Sequence, residues 1–370
     1  MRRRPRSLPL VMALVLTALV GCTRPPDLVG VDNPEFPARA VADITKHRIF
    51  ITTTRQAAEV QAAFFSGQRA PELGLASVDV TVPPNHVTGQ LERPPRLPPD
   101  PRVEFSVVDP VVYGDDASFI AEINRELATR APGDRNLLVF VHGFNNTTSD
   151  AILRLTQFVN DSGYTGVPVL FTWASAASAT RYVYDLNSAL VARVQLKDMA
   201  DILVRTRAED VDIFAHSMGA FLTMEGLVDA QQAGRLDPRG RISQIMLASP
   251  DIDIDLFRTQ LALLPPEVLA RTFILVSDND RALMVSRRLA GGVPRVGAAN
   301  TEELEDLGVT VIDLSEIDDS RSGSHSKFAG SPEVVRLIGK ELNTTGGLDS
   351  KSTPGLDEIL AGVPIRIVRN

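Results

Sequence analysis

Seven short runs of apolar and β-branched residues alternate with helical patterns along this chain, and that alternation constrains its fold more than any other feature. The runs are "IFITTT" (49–54), "NLLVFVH" (136–142), "VPVLFTW" (167–173), "VDIFAH" (211–216), "QIMLAS" (244–249), "TFILVS" (272–277) and "VTVIDL" (309–314). Nearly unbroken apolarity is what a parallel strand covered on both faces requires. Between the runs, stretches such as 189–206 place Leu196, Met199 and Leu203 along one helix face. Strand, helix, strand in repetition predicts a doubly wound, mostly parallel α/β sheet with helices on both faces. With 370 residues, 44% of them hydrophobic, the chain can bury a core of that size.

The first residues predict export. Arg2, Arg3, Arg4 and Arg6 form a basic start, "LVMALVLTALV" (10–20) is a short apolar run, and "LVGC" ends at Cys22. A spanning helix needs about 20 apolar residues, so this run reads as a cleaved bacterial signal peptide over 1–21. Leu19-Val20-Gly21-Cys22 resembles a lipobox, which predicts a lipid anchor on Cys22, the only cysteine of the chain. Loss of the first 21 residues, with four arginines and no acid, moves the formal charge from −8 to −12. An acidic protein of this kind is a poor nucleic-acid binder, and membrane attachment is expected through the lipid. Thr23 after the cysteine is not the aspartate associated with inner-membrane retention, so the expected place is the periplasmic face of the outer membrane.

Residues 22–45, rich in proline and polar side chains, read as a tether, 46–342 as the α/β domain and 343–370 as a tail with a short apolar segment near its end. The proline-rich stretch 92–102 reads as an ordered crossing loop, because strand-like runs flank it.

Open α/β sheets carry their sites at the carboxyl ends of the strands. Ser217 directly follows "VDIFAH" in "AHSMG", one residue away from G-x-S-x-G, the nucleophile elbow that lifts a serine out of the sheet. Ala215 and Gly219 keep the two flanking positions small. The other role of a serine at such a joint is to cap the helix. "FVHGFNNT" (140–147) ends an earlier strand with an HG turn. There Phe144 would offer one N–H to an oxyanion hole and Met218, after the serine, the second. His142 reads as a histidine packed beside the site. Of the five histidines, His325 remains as a base, in the polar loop "DDSRSGSHSKF" after the last strand.

On these motifs, with "TTTRQ", "VLFTWAS", "YVYDLNSA", "LASPDIDIDLF" and "VSDNDRAL", the chain resembles the α/β-hydrolases. More narrowly, it resembles the bacterial family of esterase- and lipase-like proteins catalogued as domain of unknown function 900. The resemblance runs from about residue 49 to the helix after His325, and it implies the α/β-hydrolase fold and a serine-hydrolase mechanism with no particular substrate. Ser217 attacks an ester, His325 moves the proton, and an aspartate orients the histidine. Asp280 in "SDND" is the choice for that acid; Asp278, Asp251 and Asp253 are the competitors. Tyr182 and Tyr184 are candidates for the substrate cleft, and Trp173 for core packing.

"DIDIDLF" lacks the glycine and glutamate of a calcium loop, holding Leu256 and Ala262 there instead. With no HExxH, paired CxxC or GxxxxGK motif, no metal or nucleotide cofactor is expected. The expected partner is a small-molecule or lipid ester. The alternative is an envelope scaffold or binding protein with little turnover, which Ala215 in place of the first elbow glycine would favour.

Overall fold

The computed structural model describes residues 25–317, 324–343 and 365–369; the segment expected to be a signal peptide, Cys22 and most of the tail lie outside them. The seven runs form β1 (Thr45–Ala57), β4 (Leu137–Val141), β5 (Val167–Thr172), β6 (Val211–His216), β7 (Ile242–Ala248), β8 (Thr272–Val276) and β9 (Thr310–Asp313). With β2 (Phe65–Val82), β3 (Ser106–Tyr113) and β10 (Arg366–Arg369) they make one ten-stranded sheet, ordered β10-β9-β8-β7-β6-β4-β5-β1-β2-β3. From β1 to β9 all neighbours are parallel; β2, β3 and β10 add antiparallel edges.

Successive strand residues feed opposite cores. Leu137, Val139 and Val141 face one cluster, with α1 (Asp116–Ala128), α3 (Tyr182–Leu203) and α4 (Met218–Gln232) over it; Leu138 and Phe140 face the other, with α2 (Thr148–Ser162) and α9 (Pro332–Leu342). That period-two division is why these strands are apolar throughout. The chain steps outward from β4 to β5, then returns across β4 to β6. This reversal leaves a crevice outside the carboxyl ends of β4 and β6, where a ligand site belongs in such a sheet.

The ends differ from the sequence expectation. The stretch read as a tether is docked over its described part: Leu28 and Val29 are buried, Leu28 N–H donates to Ser149 Oγ at 3.1 Å, and Val29 bridges to Val107. An apolar pair among prolines is enough to seat it. In the tail, β10 pairs with β9 and extends the sheet.

The crossing loop is tied down by His86, whose Nδ1 and Nε2 each lie 2.6 Å from a carboxylate, Glu92 and Asp161 respectively. Burial opposes its charge, but the hydrogen bonds to Asp161 and Glu92 prevail and raise its pKa above the ordinary imidazole value. The resulting stability is fully present below about pH 6.5 and is lost as pH rises through the folded-state pKa. In urea unfolding, wild type is therefore expected to lose its advantage over His86→Gln as pH rises; a pH-independent difference contradicts the charged bridge.

Candidate active site

At the end of β6, Ser217 has φ 56° and ψ −122°, a conformation that costs a non-glycine residue energy and recurs at active sites. Its backbone is held on both sides. The N–H donates to Ala248 O at 2.9 Å, and the carbonyl accepts from Ala220 N at 3.0 Å and Asp251 N at 3.2 Å. The side chain does not cap α4, and its hydroxyl has no hydrogen-bond partner among the described residues.

Gly219 is small because α4 meets the end of β4 there. A methyl group there would lie 2.4 Å from Val141 O and 2.5 Å from His142 O, so the first turn of α4 presses on the end of β4. Ala215 fits because its methyl group is buried within the core cluster. Gly219→Ala is expected to destabilise the fold by about 1–3 kcal/mol or more through overpacking. Its urea midpoint checks this, and an unchanged midpoint contradicts the contact.

The HG turn abuts the serine: a methyl group on Gly143 would sit 2.9 Å from Ser217 Cβ. His142 is buried and stacks on Trp173, whose indole N–H donates to His142 O at 2.8 Å. Burial, with the Arg55 charge adding to it, lowers the His142 pKa to about 3. The ring is therefore neutral, with Nδ1–H donating to Gly143 O at 2.8 Å and Nε2 accepting from Thr172 Oγ1 at 3.0 Å. Phe144 N–H and Met218 N–H have no acceptor among the described residues, and Met218 is the first residue of α4.

Two buried charged residues, to which the sequence reading assigned no role, brace this turn. Arg55, at the end of β1, donates to Asn146 O at 2.8 Å, Ser175 O at 3.1 Å and Thr172 Oγ1 at 2.9 Å. Asp185, in the first turn of α3, accepts from Ser175 Oγ at 2.5 Å, Ala176 N at 2.7 Å and Asn145 N at 3.2 Å. For Arg55 the available signal was a charge at the end of an apolar strand pattern, which is rarely buried without partners.

Asp280 caps α7 (Arg281–Leu289), accepting Leu283 N–H on Oδ1 at 3.0 Å, while its Oδ2 lies 2.8 Å from His325 Nδ1. With the carboxylate as acceptor, Nδ1 carries the proton and Nε2 is left as the basic nitrogen. The histidine is anchored by its backbone. His216 Nε2–H donates to His325 O at 3.0 Å, and the two rings lie 4.7 Å apart. Burial and the neighbouring His325 push the His216 pKa well down, which keeps its ring neutral. Lys327, two residues on, reaches Leu314 O at 2.7 Å and Ser277 Oγ at 2.9 Å, clamping this segment to the ends of β9 and β8.

The other aspartates point elsewhere. Asp278 is exposed, and Asp253 caps α5 (Ile254–Leu261). Asp251 accepts from Ser286 Oγ at 2.5 Å and Tyr182 OH at 2.9 Å, and pairs with Arg295 at 3.4 Å. Tyr182 packs edge-on against Phe144, with centroids 5.4 Å apart, and burial together with Asp251 raises its phenol pKa. Tyr184 does not join it. Its hydroxyl donates to Gly67 O at 3.0 Å and its ring lies between Arg69 and Arg181, because residues two apart on a helix project to opposite sides. The structure thus joins Asp280 to His325 and sets the Phe144 turn against Ser217. Ser217 Oγ makes no hydrogen bond to His325; such bonds often tighten only with substrate in place.

Residues 115–341, more than half of the chain, match the sequence model of a family described as an α/β hydrolase of unknown function (DUF900). Among solved structures, the chain is similar to a fungal esterase from Rhizomucor miehei, at 11% identity and a TM-score of 0.34 over 92% of each chain. It is similar to an esterase from Pyrobaculum calidifontis, at 12% identity and a TM-score of 0.35 over 93% of this chain and 95% of that one. A third is carboxyl esterase 2 from the fungus Tuber melanosporum, at 10% identity and a TM-score of 0.38 over 92% and 99%. No curated protein matches the chain.

Proposed function

The chain belongs to the DUF900 family of α/β hydrolases of unknown function, and from that membership we propose that it is a serine hydrolase cleaving carboxylic esters through an acyl-enzyme. Ser217 Oγ attacks the ester carbonyl carbon as His325 Nε2 takes its proton. The negative charge that develops on the carbonyl oxygen is held by the N–H groups of Phe144 and Met218. Collapse breaks the bond to the alcohol, which leaves with the proton from His325. Water then attacks the acyl-Ser217, giving its proton to His325, and the acid departs as the proton returns to Ser217. Asp280 holds the imidazole in the required tautomer and stabilises the imidazolium.

The observation that carries this reading is the 2.8 Å bond between Asp280 and His325, on a loop whose carbonyl is tied to His216, the residue before the strained Ser217. The test is turnover by the full chain of a series of small-molecule and lipid esters of graded acyl length. Hydrolysis that follows acyl length supports the reading, and no turnover of any ester overturns it.

We also propose that Cys22 carries a diacylglycerol that holds the domain on the periplasmic face of the outer membrane of a bacterial envelope. The lipobox-like "LVGC" supports this. Cys22→Ser is expected to leave unprocessed precursor or a soluble product; unchanged partitioning into detergent contradicts it.

A further inference from the structure

Beside the residues that follow β7 lies a buried cation that the ester mechanism leaves unused. Arg295 lies on a segment running antiparallel to the residues after β7: Val296 N–H donates to Ile252 O and Gly297 N–H to Pro250 O, each at 2.9 Å, and Arg295 bridges to Asp253. A methyl group on Gly297 would lie 2.4 Å from the Ser249 carbonyl carbon, so only glycine lets the two backbones come this close. Arg295 is 7% exposed. Its Nε lies 3.4 Å from Asp251 Oδ1 without making a hydrogen bond, and among the described residues no group accepts a hydrogen bond from any nitrogen of this guanidinium.

A guanidinium has five donors in a planar fork. Here Nε is fully buried without a hydrogen bond, which is costly, and a carboxylate or phosphate facing the fork would satisfy it and a second donor at once. Asp251 leaves that bond unmade: its Oδ1 stands 3.4 Å from Nε without a hydrogen bond, while its two oxygens take the hydroxyls of Ser286 and Tyr182. The location is beside the proposed chemistry. Asp251 N–H donates to Ser217 O, and Tyr182, which shares Asp251 with Arg295, packs on Phe144 of the HG turn.

We infer that Arg295 binds an anionic oxygen group carried by the substrate, a carboxylate or a phosphate, so that the ester cleaved at Ser217 is an acidic one. This deepens the ester-hydrolase reading and rests on it. The chain as a whole has a formal charge of −8, so an acidic substrate gains nothing from the general field of the protein and depends on a local cation.

The test compares 4-nitrophenyl butyrate with the mono-4-nitrophenyl ester of glutaric acid on the full chain. Wild type is expected to favour the acidic ester in kcat/KM by about 10- to 100-fold, the range of one charge-assisted forked contact, and Arg295→Gln to bring the ratio close to one. The ratio does not depend on the fraction of folded enzyme, so partial misfolding of the variant cannot imitate the result. Competition against the neutral ester by glutarate and by glycerol 1-phosphate separates carboxylate from phosphate. No acidic preference in wild type, or a preference that survives in Arg295→Gln, overturns the assignment. Thermal shifts with the same two anions on wild type, Ser217→Ala and Arg295→Gln separate the two readings. A shift lost only in Arg295→Gln, with no ester turned over, upholds the anion site while the ester reading falls. No shift in wild type with either anion overturns the site.

Discussion

Ser217→Ala is expected to lower ester turnover by about five to six orders of magnitude, with the circular dichroism spectrum unchanged. An effect of that size follows when the nucleophile of a serine triad is removed, because the base and orienting acid then have nothing to activate. The residual rate would come from the oxyanion donors and from substrate binding, which do not need the hydroxyl. The fold should tolerate the change well, since the hydroxyl caps nothing and has no hydrogen-bond partner among the described residues. Alanine at φ 56° inherits the same backbone strain as serine, so a stability loss is not expected to confuse the result. Turnover within tenfold of wild type contradicts Ser217 as the nucleophile.

Asp280→Asn is expected to lower kcat by about three to four orders of magnitude. The mechanism is tautomeric: an amide can offer its N–H to the histidine, which then protonates on Nε2 and loses its base. Asp280 also accepts Leu283 N–H at 3.0 Å. Asparagine keeps an oxygen for that cap, so the helix start should survive. Asp251→Asn provides the contrast. Its partners are Tyr182, Ser286 and Arg295 rather than His325, so its main expected effect is lower stability, as Arg295 loses its counter-charge. The two variants should separate cleanly, Asp280→Asn in kcat and Asp251→Asn in the unfolding midpoint. A larger fall in kcat for Asp251→Asn than for Asp280→Asn, with both folded, moves the acid to the strand before.

The parts legible in the sequence share one physical cause. Strands β4 to β9 are buried on both faces, so each appears as an apolar run with a polar residue at its carboxyl end. Ser217 stands directly at such an end, and Asp280 and His325 lie in the polar segments that follow β8 and β9. The meander of β2 and β3 was not legible in the same way. The first half of β2 is only partly buried and contains Gly67, Pro71 and Gly74, and its buried half places Ser77, Asp79 and Thr81 inside. Asp79 is acceptable there because Lys46 and Arg48 of the neighbouring strand pair with it, each at 2.8 Å.

The bracing residues were hidden for a different reason: their partners are distant in sequence. Arg55 reaches Asn146 and Ser175, Lys327 reaches Ser277 and Leu314, and His216 reaches the backbone of His325. A pattern read along the chain identifies groups that react at strand ends. It does not identify the buried charges that hold those ends in register, because only the fold brings their acceptors within reach. Tyr182 and Tyr184 show the same limit: two aromatic candidates two residues apart part company once the helix turns one toward Phe144 and the other toward Gly67.

Covalent capture reports on whether Ser217 is an activated nucleophile. The full chain is treated with a fluorophosphonate, digested, and the adduct located by mass spectrometry. The expected result is stoichiometric modification of Ser217 that Asp280→Asn and His325→Gln each slow severely. No adduct on the folded protein, or an adduct on a different serine that persists in Ser217→Ala, contradicts the account.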